Sequence, residues 1–419
     1  MTRSQIIRPD KSVKFPTVLA NKERLYAHHA LKLRNGMRYI IAILGFFVVA
    51  MMLWDAFEVI ILPRRVTRRL RFARFFYRFT WRLRSIVAEL IALDRPRENY
   101  LSYFGPLSLL LLLTAWVTGL VAGFATMQWG LQDQLNVGAR AAPFSTYLYL
   151  SGTTFFTLGL GDVLALGPKG RLLVVLEAGL GFAFLGGVVT YLPTIYQASS
   201  RREVGISLLD ARAGSPPSAG ELLRRNGNDM SGLEQLLGKW EGWSAELLES
   251  HISYPFLVYF HSQHVDQSWL GALTAILDTS ALVIAGIDSG PIRQAKLTFA
   301  MARHAVVELT QNFILSPPAL ARDRLPPSSF TVLRKVLAEA DVSMPAGTEA
   351  EQKLSELRRM YEPYVEALGK YLLISMPPWF QANAIPDSWQ ISNWQTPIFS
   401  IATENNAIQE TNGKRFAEG

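Results

Sequence analysis

Long apolar runs dominate the first half of the chain. No charged side chain occurs between Asn99 and Gln132, and the run between Arg171 and Arg201 is broken only by Glu177. A bilayer core needs roughly 20 apolar residues in a helix, and these runs are apolar around the whole helical circumference. The pattern therefore predicts transmembrane helices at Met37–Leu62, Leu101–Trp129 and Arg171–Gln197.

A strongly basic segment, Pro63–Asn99, separates the first two of these helices. Arginine recurs at every third position, as in a spanning voltage sensor. The alternative is an interfacial helix, with arginines at lipid phosphates and aromatic rings in the acyl boundary. We favour the interfacial helix, because a sensor needs surrounding helices and only one precedes this segment. The side chains concerned are Arg65, Arg68, Arg71, Arg74, Phe72, Phe75, Phe76, Phe79 and Trp81.

The interfacial interpretation determines the sidedness of the N-terminus. Positive charge places the basic segment in the cytoplasm, so the first helix enters the membrane from outside. Residues 1–36 would then be extracytoplasmic, although they hold eight Lys and Arg against two Asp and Glu. We expect Met37 to be the native start, which removes this conflict. The alternative is that the arginine segment spans the membrane.

Composition agrees with a membrane protein. Apolar residues make up 49% of the chain and charged residues only 18%, against about 25% charged in average proteins. The net charge is +13 over residues 1–100 and −5 over the rest, which fits a membrane protein facing anionic headgroups better than a nucleic-acid binder. The lack of cysteine excludes a disulfide scaffold, a thiolate metal site and a cysteine nucleophile. No signature of an enzyme or cofactor site stands out.

The loop between the two strongest helices indicates a pore. Phe144–Gly161 carries no charge yet is too short to cross and return as helices. Non-helical backbone at membrane depth survives only inside protein or beside water, so we expect a short helix that returns as extended chain. Glycine alternates with larger residues from Thr157 to Gly161. Glycine adopts positive φ, and such alternation can turn successive carbonyls toward one axis, where four copies would replace a cation's hydration shell.

These features resemble the potassium-channel pore family, in the order helix, pore helix, T-x-G-x-G-D, helix. The resemblance covers roughly Leu101–Gln197 and implies K⁺ bound only by the filter carbonyls, with no other metal or cofactor. One loop per chain further implies a homotetramer around a fourfold axis. The implied ion-binding residues are Thr157, Leu158, Gly159, Leu160 and Gly161.

The chain departs from the family in the surroundings of this filter. Leu158 and Leu160 replace the valine and tyrosine of T-V-G-Y-G, and Tyr149 and Leu150 replace paired pore-helix tryptophans. We predict that a polar cuff has become apolar, with Leu160 packed against Tyr149 or Leu150 of a pore helix. Thr153 stands where some members carry glutamate. The expected filter supports are therefore Tyr149, Leu150, Thr153, Asp162 and Glu177.

Further positions in the membrane segments have a structural and a functional interpretation. Glu177 is either an interhelical or headgroup-facing acid, or a charge behind the filter or in the outer vestibule. Gly181 occupies the usual place of a gating hinge but also suits close helix packing, and Pro193 is an equally plausible bend. Asp55 and Glu58 are expected to pair with the following arginines rather than to bind ions.

The C-terminal half is predicted to be a helical cytoplasmic domain whose ligand or partner is unknown. Trp269–Ile287 is apolar, but Asp278 favours a buried core helix over a fourth span. His251, His261, His264 and Asp266 are interpreted as ordinary histidines and acid rather than a metal site. The predicted divisions are 1–36 basic segment, 37–63 first span, 64–98 interfacial helix, 99–197 pore, 198–230 linker, 231–404 helical domain and 405–419 tail.

The sequence thus predicts an all-α membrane protein, a multi-pass channel of the inner (plasma) membrane that conducts cations, K⁺ expected. The alternatives are a non-selective cation channel of the same fold and a membrane-anchored sensor with a poorly conducting pore.

Overall fold

A computed structural model describes residues 15–62, 72–91, 94–132, 134–137, 142–262, 267–313, 315–318, 323–345 and 347–381, with side chains from residue 36 onward except 94 and 95. Over these ranges the secondary structure is helical, apart from an isolated bridge between Leu135 and Ala165. The prediction of an all-α membrane protein is confirmed. The helices are α1 Phe15–Ile60, α2 Phe72–Glu89, α3 Asp94–Ser102, α4 Phe104–Leu131, α5 Phe144–Phe155, α6 Pro168–Ala213, α7 Ala219–Asn226, α8 Met230–Ser253, α9 Trp269–Gly286, α10 Ile292–Asn312, α11 Pro327–Ala338, α12 Thr348–Arg359 and α13 Glu362–Leu372.

The chain divides into two compact units. The first comprises Met1–Phe57 and Leu113–Val189, and the second comprises Glu58–Leu112 and Thr190–Gly419. Among the described residues, helices α1, α4, α6 and α9 each contain a segment long and apolar enough to cross a membrane, and the segment on α9 is almost wholly buried inside the protein. The three predicted spans lie on α1, α4 and α6.

Within the first unit, α1 packs antiparallel against α4 through glycines. A Cβ on Gly45 would lie 2.6 Å from the carbonyl oxygen of Gly123, and one on Gly119 would lie 2.9 Å from Met52 Cγ. Residue numbers therefore increase along α1 in the direction in which they decrease along α4, which makes the two helices antiparallel. Small residues let two helix backbones approach closely inside a bilayer, where packing replaces the hydrophobic effect. Helix α1 thus packs closely against α4.

The second unit is built around α9. Every residue from Trp269 to Ala285 is buried, and α7, α8, α10, α12 and α13 pack against this helix. Asp278 on α9 accepts hydrogen bonds from both terminal nitrogens of Arg324, at 3.1 and 2.7 Å. A buried carboxylate needs such a partner. The helix is the core of this unit, as predicted for Trp269–Ile287.

Several helix boundaries differ from the sequence-based expectation. α6 does not end at Gln197 but continues to Ala213, and the predicted linker 198–230 also contains α7. The basic segment forms two helices, α2 and α3, rather than one, and α1 begins well before Met37. The chain from residue 198 keeps an apolar stripe through Ile206 and Leu209, which are buried, and this stripe maintains the helix after the apolar run has ended. The predicted tail 405–419 lies outside the described residues.

Candidate functional site: the re-entrant loop

The backbone of the loop after α5 alternates in handedness. Thr157, Gly159 and Gly161 have φ values of 56°, 54° and 79°, and the two leucines between them do not share this conformation. No atom lies within 4 Å of a Cβ built on Gly159 or Gly161, so glycine is required there by backbone conformation and not by lack of space. Thr157 adopts the left-handed region at some conformational cost. Such alternation turns successive carbonyl groups to one side of the chain.

The C-terminal end of α5 anchors the start of this segment. The carbonyl oxygen of Thr153 accepts hydrogen bonds from the backbone nitrogens of Leu158, at 2.8 Å, and Gly159, at 3.4 Å. The Thr153 hydroxyl donates to the carbonyl of Leu150 at 3.0 Å and is thus occupied within the helix. Thr153 therefore supports the loop through its backbone rather than through its side chain.

Two side chains hold the outer end of the loop. The Tyr149 hydroxyl donates to Asp162 Oδ2 at 2.8 Å. Asn136 Nδ2 donates to the carbonyl oxygen of Asp162 at 3.1 Å, and its Oδ1 accepts from the Leu164 nitrogen at 2.8 Å. Sequence reasoning missed Asn136, because its contact crosses 26 positions and no motif marks it.

The expected apolar cuff takes a different form. Tyr149 makes a polar contact with Asp162, and Leu150 is buried in a cluster with Ala125, Leu135 and Tyr147 on the other side of α5. Leu160 is 64% exposed in the single chain, so α5 of the same chain does not cover it. Its packing against a pore helix of a neighbouring chain stays a prediction.

Glu177 lies behind the pore helix. It is fully buried, with one carboxylate oxygen accepting from the Ser151 hydroxyl and the other accepting from Gln128 Nε2 at 3.2 Å. Ser151 Oγ also lies 2.7 Å from the carbonyl oxygen of Val121 on α4. Glu177 is therefore an interhelical acid joining α4, α5 and α6, and it faces neither the headgroups nor an outer vestibule. Ser151 and Gln128 gave no signal in the sequence.

Gly181 packs directly on the end of α5. A Cβ there would collide with the carbonyl of Phe155, so close packing alone explains the glycine. α6 remains helical through both Gly181 and Pro193. A hinge at Gly181 and a bend at Pro193 stay predictions.

The two acidic residues near the end of α1, Asp55 and Glu58, are both buried. Asp55 accepts from Trp116 Nε1 on α4 at 2.9 Å. The arginines immediately after α1 lie outside the described residues, so the predicted pairing with them stays a prediction.

Helix α2 presents two apolar faces. Tyr77 and Trp81 are buried inside the second unit, where Tyr77 stacks on Tyr259 with ring centroids 5.7 Å apart. Trp81 Nε1 donates to the carbonyl oxygen of Tyr371 at 3.0 Å. A second stripe, spaced four, four, three and four residues apart, is exposed and consists of Phe75, Phe79, Leu83, Ile86 and Leu90. Of the arginines at every third position, Arg74 is described, whereas Arg65, Arg68 and Arg71 are not.

The histidines do not form a metal centre in the described part of the chain, where no group of three or more His, Asp and Glu residues could hold a metal ion. His251 is buried, and its Nδ1 lies 2.8 Å from the carbonyl oxygen of Leu247 while its Nε2 lies 3.4 Å from Arg202 Nη1. His261 lies 3.2 Å from the carbonyl oxygen of Tyr259. His264 and Asp266 lie outside the described residues.

Fold and loop together define an all-α membrane protein with an ion-channel pore domain. Residues 109–198 match the family described as "Ion channel", and this match supports placing the segment in the potassium-channel pore family. A curated relative, the uncharacterized membrane protein YdjJ of Bacillus subtilis (strain 168), is 28% identical over 189 residues, which is 44% of this chain and 54% of the relative. The chain thus spans about half the length of that relative. No solved structure matches the chain.

Proposed function

We propose that this chain forms a homotetrameric cation channel of the cell membrane. Four loops surround one axis, and dehydrated K⁺ passes through rings of backbone carbonyls from Thr157 to Gly161. The observation that carries this proposal is the alternation of left-handed residues at 157, 159 and 161, because it directs successive carbonyl oxygens to the same side. The partial negative charge at the C-terminal end of α5 favours a cation below the filter.

The assembly is needed to complete the filter surroundings. Leu158 and Leu160 are 61% and 64% exposed in one chain. Large apolar side chains exposed together indicate a surface that another protein chain covers. A neighbouring pore helix supplies that cover in the tetramer. Selectivity for K⁺ over Na⁺ then depends on apolar packing around the leucines together with the polar contact of Tyr149.

The second unit lies in the cytoplasm in this proposal, with α2 at the inner membrane surface. The exposed stripe from Phe75 to Leu90 inserts between lipids, and Arg78 and Arg82 of the same helix contact anionic headgroups. This is the arrangement of an interfacial amphipathic helix. The opposite face of α2 stays on the cytoplasmic domain through Tyr77 and Trp81.

Ion flux in liposomes tests the proposal. The purified chain should carry K⁺ and pass Na⁺ more slowly, and Gly159→Ala should abolish flux while the tetramer elutes unchanged. A Cβ at φ 54° is strained by roughly 1–3 kcal/mol, which turns the local carbonyl away. Gly242→Ala is the matched control, since a Cβ there also meets no atom within 4 Å but lies on an exposed part of α8. Undiminished flux through Gly159→Ala would refute the filter assignment.

A further inference from the structure

A cavity of about 580 Å³ lies between the last turns of α6, helix α7 and the first half of α8. Its size falls in the range of small-molecule sites, roughly 300–1,000 Å³. All of its walls belong to the second unit. No motif in the sequence points to it.

Two tryptophans form the aromatic part of the cavity wall. The rings of Trp240 and Trp243 lie 4.5 Å apart at an angle of 57°. Trp243 is fixed in place, because its Nε1 donates to the carbonyl oxygen of Arg202 at 3.2 Å and its ring presses on Gly205 of α6. Rigid aromatic walls of this kind accept the face or edge of a planar ring.

Three cations and one acid give the lining an excess of positive charge. Arg225 is held at the rim by Glu221 and by the carbonyl oxygen of Ala211 at 2.9 Å. Lys239 is exposed and, within the described part of the chain, makes no hydrogen bond or ion pair. The acid, Asp229, is used as the N-cap of α8, where its Oδ1 accepts from the Gly232 nitrogen at 2.8 Å. Arg212 is the third cation.

We propose that this cavity binds a planar organic anion of the size of a nucleoside monophosphate. Its ring lies against Trp240 and Trp243, and its phosphate lies among Arg212, Arg225 and Lys239. Guanidinium groups suit phosphate oxygens through paired N–H donors, and the free ammonium of Lys239 supplies a mobile charge at the entrance. The tryptophans and the cations together indicate a ligand with both a ring and a negative charge. A simple anion would not need the tryptophans, and an apolar ligand would not need the cations.

A ligand bound in this cavity would affect the position of α6. Gly205 and Arg212 belong to the cavity wall and to the same continuous 46-residue helix that carries Gly181. A ligand seated between α6 and α8 therefore favours one position of the cytoplasmic end of α6. The effect on ion conduction rests on the proposed channel function, whereas binding itself does not.

Calorimetry on the full-length protein in detergent tests binding independently of conduction, with AMP, adenosine and inorganic phosphate as probes. AMP should bind with a Kd below about 1 mM, and adenosine and phosphate about tenfold more weakly, because each lacks half of the recognised chemistry. Lys239→Gln and Arg212→Gln should each weaken AMP binding by about tenfold. Lys296→Gln, which removes an exposed lysine of α10, should leave it unchanged.

Each outcome decides one part of the proposal. Absent AMP binding, or equal binding to Lys239→Gln and the unmodified chain, overturns the site. Equal affinity for phosphate and AMP overturns the role of the tryptophans. In liposomes, AMP should change ion flux through the unmodified chain at least several-fold more than through Lys239→Gln. AMP binding without a change in ion flux overturns the proposed effect of the ligand on α6. A chain that binds AMP but conducts no ions overturns the channel function and supports the binding site.

Discussion

The hydroxyl of Tyr149 on α5 donates a hydrogen bond of 2.8 Å to the carboxylate of Asp162, the residue that follows the glycine-alternating segment. In the proposed channel, this contact fixes the outer end of the filter against a helix of the same chain. Tyr149→Phe removes the hydroxyl alone, and we expect a K⁺/Na⁺ flux ratio lowered about fivefold, equivalent to ~1 kcal/mol for one hydrogen bond. Tyr103→Phe is the control, because Tyr103 is exposed and lies outside the loop. An unchanged flux ratio in Tyr149→Phe would show that Asp162 needs no tether.

The buried contact of Ser151 with Glu177 leads to a second prediction. The single proton of the Ser151 hydroxyl lies between two acceptor oxygens, those of Val121 and Glu177, so Ser151→Ala removes a donor from the buried carboxylate of Glu177. We expect a loss of about 1–3 kcal/mol in stability, measured as a lower midpoint of thermal unfolding in detergent. Thr118→Ala is the control, because its exposed hydroxyl bonds only to its own helix at Thr114. Equal midpoints for the two variants would contradict the structural role of Ser151.

Glu177 should be coupled to Ser151 in the same assay. Since the two side chains share one contact, the effects of Ser151→Ala and Glu177→Gln should not add in the double variant. Additive losses would mean that the contact contributes nothing.

Glycine packing between α1 and α4 gives a third prediction. A Cβ on Gly123 would lie 2.7 Å from Val49 Cγ2, so Gly123→Leu must push the helices apart at a cost of about 1–3 kcal/mol or more. The folded fraction, followed by size-exclusion chromatography in detergent, should fall. Gly36→Ala should elute like the unmodified chain, because its Cβ meets nothing within 4 Å. A normal elution of Gly123→Leu would show that α1 is loosely attached.

The sequence predicted what depends on local composition. Long runs with few charged residues predict the spans, and the glycines at 159 and 161 predict the alternating backbone. Thr157 is placed in the proposed filter by the motif, but nothing in its residue type predicts its positive φ.

Contacts between distant positions were not predictable. Asn136 meets Asp162, and Gln128 meets Glu177, without any periodicity that would pair them. Arg202 is buried and donates to the carbonyl oxygens of Leu257 and Phe260 at 2.9 and 2.6 Å. These acceptors lie 55 and 58 positions further along the chain, beyond the end of α8.

His251 makes the stability of the second unit sensitive to acid. Burial, followed by the nearby positive charge of Arg202, lowers the pKa of His251 to about 3. The unfolded chain takes up this proton near pH 6.5 and the folded chain does not. Stability is therefore full above pH 6.5 and falls by up to about 1.4 kcal/mol per unit as the pH drops toward 3.

Thermal unfolding followed by circular dichroism at pH 7 and pH 5 measures this effect. His251→Gln should show a smaller drop between the two pH values than the unmodified chain. His304→Gln, at an exposed histidine of α10, should retain the full drop. Identical pH dependence in all three proteins would show that His251 is not the group responsible.

The antiparallel packing of α1 on α4 predicts the topology of the membrane part. Phe104, at the start of α4, contacts Trp81 of α2, which also packs on Tyr259 of the second unit. That end of α4 therefore faces the cytoplasm in the proposed channel, and the antiparallel α1 must have Gly36 at the outer surface.

Single cysteines in this cysteine-free chain make the topology measurable. A membrane-impermeant thiol reagent should label Gly36→Cys on intact cells, whereas Ser207→Cys should react only after permeabilisation. Ser207 is exposed on α6 and lies outside the lipid-facing stripe of α2, so a lack of labelling on intact cells reflects sidedness and not burial. Labelling of Gly36→Cys only after permeabilisation would place the N-terminal end of α1 inside. The arginine segment would then have to cross the membrane, and Arg65 to Arg74 would become a candidate voltage sensor.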